Sequence, residues 1–251
     1  MMRSARALFI TGTDTGVGKT AVAAGLAAWC RLHDINVGVI KPVATGGRPL
    51  AGRLVSDDAV VLKRAAGVAD PWAWINPICY RQPLAPYTAA RLARRPVAWP
   101  PIDRAVRALA AQHDFLLIEG IGGLEVPLTR TQTVSDLILR LGAPVLIVAR
   151  AGLGTLNHTR LTVEQARRKR LRIAGVVLNS PAPESRQAGA RLAERTNPAV
   201  LAEWLPVPVW GVLPHRQACA GPASDAAAMA AWIEHGIGRR WRHWLQASVG
   251  V

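Results

Sequence analysis

An α/β fold is predicted, a mostly parallel sheet covered by helices on both faces and built as one domain over residues 1–251. Short apolar runs alternate with helical stretches along the chain, which is the pattern of βαβ units. The runs are apolar throughout, as strands buried on both faces are. Half of the 251 residues are hydrophobic, and a chain of this length suits one large core.

The first run, Ala5–Ile10, reads as a strand, and Ala21–Trp29 reads as a helix. Between them stands Thr11-Gly12-Thr13-Asp14-Thr15-Gly16-Val17-Gly18-Lys19-Thr20. Strand, glycine loop, Gly-Lys-Thr and helix form the context of a phosphate-binding loop, so the fold is P-loop NTPase-like. Glycines let consecutive N–H groups turn toward an anion, and the helix start adds its partial positive charge. Lys19 reaches terminal phosphates, and the Thr20 hydroxyl can join a Mg²⁺ shell. The general pattern puts a glycine five residues before the Gly-Lys pair. That place is Thr13 here, and the glycine stands at Gly12.

The formal net charge of +15 raises nucleic acid or an anionic membrane as partners. The excess is nearly all arginine, which reads as compositional bias; the only lysines are Lys19, Lys41, Lys63 and Lys169. Where arginine fills most basic positions a lysine is informative, because a compact ammonium does what a planar guanidinium cannot. Cys30, Cys79 and Cys219 lack metal-ligand spacing and fit a reduced cytoplasmic protein. No apolar run reaches the ~18 residues of a membrane span, and a strand begins too early to leave room for a signal peptide.

Ile35–Ile40 is a second strand, ending in Lys41-Pro42-Val43-Ala44-Thr45-Gly46-Gly47. A lysine there sits where ligands bind in open α/β sheets. Ser56-Asp57-Asp58 opens a helix, and its acids suit either a simple helix start or a carboxylate aimed at Mg²⁺. Residues 68–101 are rich in proline, hold Trp72, Trp74 and Trp99, and include a short helix from Ala85 to Arg94. So long a connection usually has a function or hidden structure. Helix Ile102–Gln112 precedes strand Asp114–Glu119, which ends on a carboxylate before Gly120-Ile121-Gly122-Gly123. In P-loop proteins such an acid stands beside the metal. A helix over 134–141, strand Pro144–Ala149, the turn Arg150–His158 and a helix over 157–169 follow. Strand Ile173–Leu178 ends in Asn179-Ser180; then come a helix from Glu184 to about Thr196, strand Val207–Leu213 and a last helix over about 224–247.

Four segments in this order resemble the dethiobiotin synthetase family: Gly12 to Thr20; Lys41-Pro42-Val43-Ala44-Thr45-Gly46; Glu119-Gly120-Ile121-Gly122-Gly123; and Leu153-Gly154-Thr155-Leu156-Asn157-His158. Two positions depart from it: Ile121 stands where alanine is usual, and Thr45 where serine is frequent. The resemblance implies MgATP-dependent carboxylation of 7,8-diaminononanoate with CO₂, and ring closure to dethiobiotin, ADP and phosphate. It implies Lys19, Lys41 and Thr15 as catalytic residues. Gly16, Val17, Gly18, Lys19, Thr20, Glu119 and Gly122 would hold the nucleotide, with Asn179 and the loop at Pro214 edging its base. Thr20, Asp58 and Glu119 would surround Mg²⁺; Asp57 is the other candidate, and Asp58 is favoured because the run Ala59–Leu62 follows it directly. Thr15, Lys41, Thr45 and Gly122 would face the diamine. Gly152, Leu153, Gly154, Thr155 and Asn157 of a neighbouring subunit would grip its carboxylate, making the enzyme a cytoplasmic homodimer without nucleic-acid or membrane partners.

A second reading is a partition- or cell-division-type P-loop ATPase switch, with the basic, Trp-rich segment 238–245 placed on membrane or DNA. That class carries an extra lysine early in the loop, where this chain has Asp14. The plainer account of the tail turns Trp241 and Leu245 inward and leaves the arginines in water. A relative with a glutaminase domain is also disfavoured, because no cysteine sits in a nucleophile turn.

Overall fold

The computed structural model describes residues 7–180, 188–215 and 225–249. In chain order it contains β1 (Ala7–Gly12), α1 (Lys19–Leu32), β2 (Val37–Ile40), β3 (Val43–Ala44), β4 (Arg48–Leu50), β5 (Arg53–Val55) and α2 (Asp57–Ala66). There follow α3 (Trp72–Ile75), β6 (Ile78–Cys79), α4 (Pro86–Leu92), α5 (Trp99–Gln112), β7 (Phe115–Gly123) and α6 (Val134–Leu141). The remainder is β8 (Val145–Arg150), α7 (Thr155–Arg168), β9 (Ile173–Asn179), α8 (Ala188–Trp204), β10 (Val209–Leu213) and α9 (Ala226–Val249).

Six strands form one parallel sheet in the order β10-β9-β8-β1-β7-β2. The order reverses at β1, which pairs with β7 on one side and β8 on the other. Loops leaving β1 and its neighbours therefore diverge at the carboxyl edge, opening a crevice there. Alternation along each strand loads both faces. Leu8 and Ile10 of β1, and Phe115 and Leu117 of β7, pack with α1, α2 and α9. Phe9 of β1, and Leu116 and Ile118 of β7, pack with α5, α6, α7 and α8. Burial on both sides explains why these strands read as continuous apolar runs.

The tail is a structural layer. Trp241 is fully buried, and Leu245 and Ile233 are buried with it. Trp241 meets Trp29 at 6.1 Å, Phe115 at 5.9 Å and Trp210 at 6.2 Å between ring centroids. Trp29 of α1 donates its indole N–H to Glu234 at 2.8 Å. The tail thus braces the helix that follows the glycine loop, while Arg239, Arg240 and Arg242 face solvent. Among the described residues no helix is long and apolar enough to cross a membrane.

Several elements differ from the expectation. β2 starts at Val37, because α1 ends in a turn in which Asp34 has φ 56° and Ile35 N–H donates back to Cys30 O at 3.0 Å. α5 begins at Trp99, three residues before Ile102, because Pro100 and Pro101 suit a first turn whose N–H groups need no acceptor. The hairpin β4–β5 was not anticipated; β4 is wholly exposed and carries no buried alternation. Its turn, Ala51-Gly52, has φ of 48° and 75°, a primed turn without the Asn-Gly signal. The long connection holds the expected short helix as α4 but also conceals α3 and β6, and β6 pairs with β3 just beyond Lys41. The expected start of the helix at Glu184, the region about 224, Cys219 and Ala5–Arg6 lie outside the described residues.

Trp241→Ala should lower folding stability by about 3–5 kcal/mol, the usual range for emptying a large aromatic site. Urea unfolding followed by circular dichroism reads that loss; an unchanged midpoint would contradict the bracing role of α9.

Candidate active site

The loop after β1 turns back on itself, and that turn accounts for the displaced glycine. A Cβ on Gly12 would meet Val17 Cγ2 at 2.8 Å and Asp14 O at 3.0 Å, so only glycine fits where β1 ends. Gly18 has φ 95° and ends the loop; a Cβ there would lie 2.0 Å from the Asn179 amide nitrogen. The first intrahelical bond of α1 at this end is Val22 N–H to Gly18 O at 3.0 Å, so the N–H groups just before it lack helical acceptors. They supply an anion site at the helix start.

Lys19 lies in the first turn of α1, and its ammonium donates to Asp14 O at 2.9 Å. Burial first, and the nearby Lys41 ammonium second, lower its pKa to about 8. Lys41, at the end of β2, is 2 % exposed. Its ammonium contacts Glu119 Oε1 at 2.6 Å, Asp58 Oδ2 at 2.8 Å and Gly120 O at 3.0 Å. Burial alone would lower the Lys41 pKa, but Glu119 and Asp58 outweigh it and hold it above the ordinary lysine value. Glu119 is raised, with burial the main cause and Lys41 opposing it. Asp58 is lowered: burial pushes it up, but Lys41 and its hydrogen bond push it down further.

Thr20 donates its hydroxyl to Glu119 Oε1 at 2.7 Å. The other oxygen, Glu119 Oε2, is buried and has no partner among the described residues. Two carboxylates and a hydroxyl, with one buried carboxylate oxygen unsatisfied, fit a hard dication that completes its shell with water and phosphate oxygens. Among the described residues no three His, Cys, Asp or Glu side chains converge, so such an ion would depend on Thr20 and on the ligand. The structure also separates the two acids that open α2. Asp58 meets Lys41, whereas Asp57 is exposed and paired with Arg48 at 2.8 Å.

Ten expected site residues line one cleft of about 680 Å³: Thr15, Gly16, Gly18, Lys19, Thr20, Lys41, Thr45, Asp58, Glu119 and Gly122. Val17 turns inward instead, and its carbonyl accepts the Asn179 amide at 2.8 Å. Asn179 therefore lies beneath the loop. The Pro214 carbonyl accepts the Trp232 indole N–H at 2.8 Å. Gly152, Leu153, Gly154, Thr155 and Asn157 do not line this cleft; Leu153 and Thr155 border a small hollow of about 50 Å³ with Thr13, Asp14 and Val17.

The unforeseen part of the site is its apolar wall. Ala44, Leu84, Ala85, Pro86, Ile121 and Val126 line the same cleft. The signal for Leu84–Pro86 was the proline-rich connection, in which Ala85 and Pro86 open α4. Asn76 had no such signal. It is fully buried, donates to Lys41 O at 2.9 Å and accepts from Ser56 N–H at 3.0 Å. Ser56 in turn caps α2 by accepting from Ala59 N–H at 3.2 Å. One amide thus ties the strand end bearing Lys41 to the helix bearing Asp58.

The AAA domain family matches residues 6–223. The ATP-dependent dethiobiotin synthetase BioD of Anaeromyxobacter dehalogenans (strain 2CP-C) is 46% identical over 207 residues, covering 80% of this chain and 91% of its own. The protein of that name from Bacillus licheniformis is 40% identical over 212 residues, covering 83% and 86%. Among solved structures, the ParA family ATPase of Chlorobium tepidum TLS superposes with a TM-score of 0.51 at 14% identity over 98% of this chain and 97% of its own. The MinC:MinD cell division complex of Aquifex aeolicus gives 0.52 at 15% identity, covering 95% and 96%. Identities this low speak for the shared fold alone.

Two predictions come from this geometry. In the free protein Lys19 gives up its proton near pH 8, so ATP affinity measured by calorimetry should fall as pH rises from about 7 to about 9.5. A flat affinity over that range would contradict a buried, depressed Lys19. The same shift acts on stability with the opposite sign. Between its folded value of about 8 and the ordinary lysine value of 10.5 the unfolded chain keeps a proton the folded chain has lost, so this group's contribution rises with pH. Second, Asn76→Ala strips partners from Lys41 O and Ser56 N–H and should cost about 1–3 kcal/mol in chemical denaturation, as unsatisfied buried groups do.

Proposed function

The chain belongs to the ATP-dependent dethiobiotin synthetase family, and from that premise we propose how its own residues perform the ATP-dependent cyclisation. It is an ATP-dependent ligase of biotin synthesis. One observation carries the assignment of roles: two lysines and two carboxylates come together in a cleft that is also lined by apolar side chains.

In the reaction one amine of 7,8-diaminononanoate takes up CO₂ and forms a carbamate. A carbamate oxygen attacks the γ-phosphorus, and the bond to the bridging oxygen breaks to release ADP. The second amine then attacks the carbamate carbon and expels phosphate, which closes the five-membered urea ring. Carbamate and polyphosphate are both anions, so their approach needs cations fixed in advance. Lys19 holds the terminal phosphates and neutralises the charge that spreads over the transferring group. Lys41, held from behind by Glu119 and Asp58, faces the carbamate. The hydroxyls of Thr15 and Thr45 orient the diamine, beside the backbone of Gly122. Thr20, Asp58 and Glu119 would hold Mg²⁺, which when bound screens the phosphate oxygens. The backbone of Gly16, Val17 and Gly18 cradles the phosphates, and Asn179 and Pro214 edge the base.

The carboxylate tail is gripped across a homodimer. The segment from Gly152 to Asn157 opens α7, lies outside its own cleft and leaves Leu153 72 % exposed, as a surface offered to another subunit would be. With ATP and a small metabolite as substrates, the enzyme works in the cytoplasm. No membrane or DNA role is needed for the tail, because Trp241 and Leu245 are buried against α1.

The test is ADP release from MgATP and bicarbonate, with and without 7,8-diaminononanoate, with the product identified by mass. Diamine-dependent ADP and a matching cyclic product are expected; hydrolysis indifferent to the diamine would overturn the assignment. Lys19→Ala should lower kcat by about 10²-fold or more, the scale of losing one preorganised charge-stabilising donor.

A further inference from the structure

We propose that Ile121 is a specificity-determining residue, a packing surface that makes the cleft select a diamine carrying an alkyl chain over a diamine without one. The inference rests on the ligase reading above and adds a residue to it. Ile121 lies two positions after Glu119 in β7, so the same strand that carries the buried carboxylate also carries this wall. The side chain is only partly buried. It packs against the core layer on this side of the sheet, and it lines the cleft as well.

The cleft is divided by chemistry. Lys41, Asp58 and Glu119 are in contact, with Lys19 nearby, and make up its charged lining, while Ile121, Leu84 and Val126 belong to its apolar lining. Leu84 is 42 % exposed although it sits in a concave site. Apolar side chains left accessible in a concavity mark surface that a ligand covers. The methylene chain that links the diamine to the carboxylate cannot lie against the charged side chains without leaving carboxylates and ammoniums desolvated and unpaired. The apolar wall is the surface that matches it. Because Ile121 is anchored in the core on its other side, truncation opens the wall rather than letting a neighbour slide into the gap.

The experiment compares kcat/KM for 7,8-diaminononanoate with kcat/KM for 2,3-diaminobutane, a vicinal diamine with no chain, in the wild-type enzyme, Ile121→Val and Ile121→Ala. The expected result is a fall of about tenfold in the ratio of the two for Ile121→Ala, the size of losing a few methylene contacts in an apolar pocket. Ile121→Val should fall between. The loss should appear in KM for the long substrate. ADP affinity, measured by calorimetry, confirms that each variant is folded with an intact phosphate loop. An unchanged ratio, or equal losses for both diamines, would overturn the inference while leaving the ligase reading in place. A wild-type enzyme that forms no diamine-dependent ADP would instead overturn the reading on which it rests.

Discussion

The buried contact of Lys41 with Glu119 and Asp58 is the interaction on which the site depends. An ammonium and a carboxylate, each nearly inaccessible to water, stand 2.6 Å apart at the carboxyl edge of the sheet. Taking two such charges out of water costs several kcal/mol per ion, and their attraction recovers this only with close geometry and further hydrogen bonds. Both conditions are met here. Gly120 O takes another ammonium proton, Asp58 supplies a second carboxylate, and Thr20 donates to Glu119. The result is a cation whose direction is set before any ligand arrives, which is what a reaction between two anions requires.

That arrangement draws its precision from elements remote from the chemistry. Lys41 follows directly on β2 and Glu119 lies within the adjacent β7, each one residue beyond the paired Ile40 and Ile118, so parallel pairing brings their side chains together. Asp58 comes from another layer, and its helix is held by the Ser56 cap and by Asn76. Lys19 and Thr20 begin α1, and α1 is clamped by α9 through Trp29, Trp241 and Glu234. The basic tail, which invites a membrane or DNA role when seen alone, is the outer layer of this clamp. Its indoles face inward because one helix face meets α1 and the sheet, and its guanidiniums remain in water on the other.

The phosphate loop was legible because its chemistry is local: a strand, glycines with the required backbone freedom, and Lys19-Thr20 at a helix start. Lys41 and Glu119 were legible as strand-end charges in a chain with only four lysines. The hairpin at residues 48–55 was not, because it buries almost nothing and its turn lacks a characteristic pair. Asn76 was invisible, since an asparagine that hydrogen-bonds two distant backbones leaves no periodic trace. The resolution of Asp57 from Asp58 likewise needed the fold, because neighbouring helix positions point about 100° apart and only the packing of α2 says which one faces inward.

By itself the sequence determined what each segment becomes. Apolar runs buried on both faces set the parallel sheet, the glycine loop set an anion site, and the four motifs in order set the family. These follow from backbone propensity and short-range spacing, which neighbouring residues encode. The tertiary structure alone decided how the segments meet: that Lys41 pairs with both Glu119 and Asp58, that Val17 turns away while Asn179 supports it, that Ile121, Leu84 and Val126 line one cleft. Those contacts join residues far apart in the chain, and their geometry comes from strand order, helix packing and burial, none of which a local stretch of sequence contains.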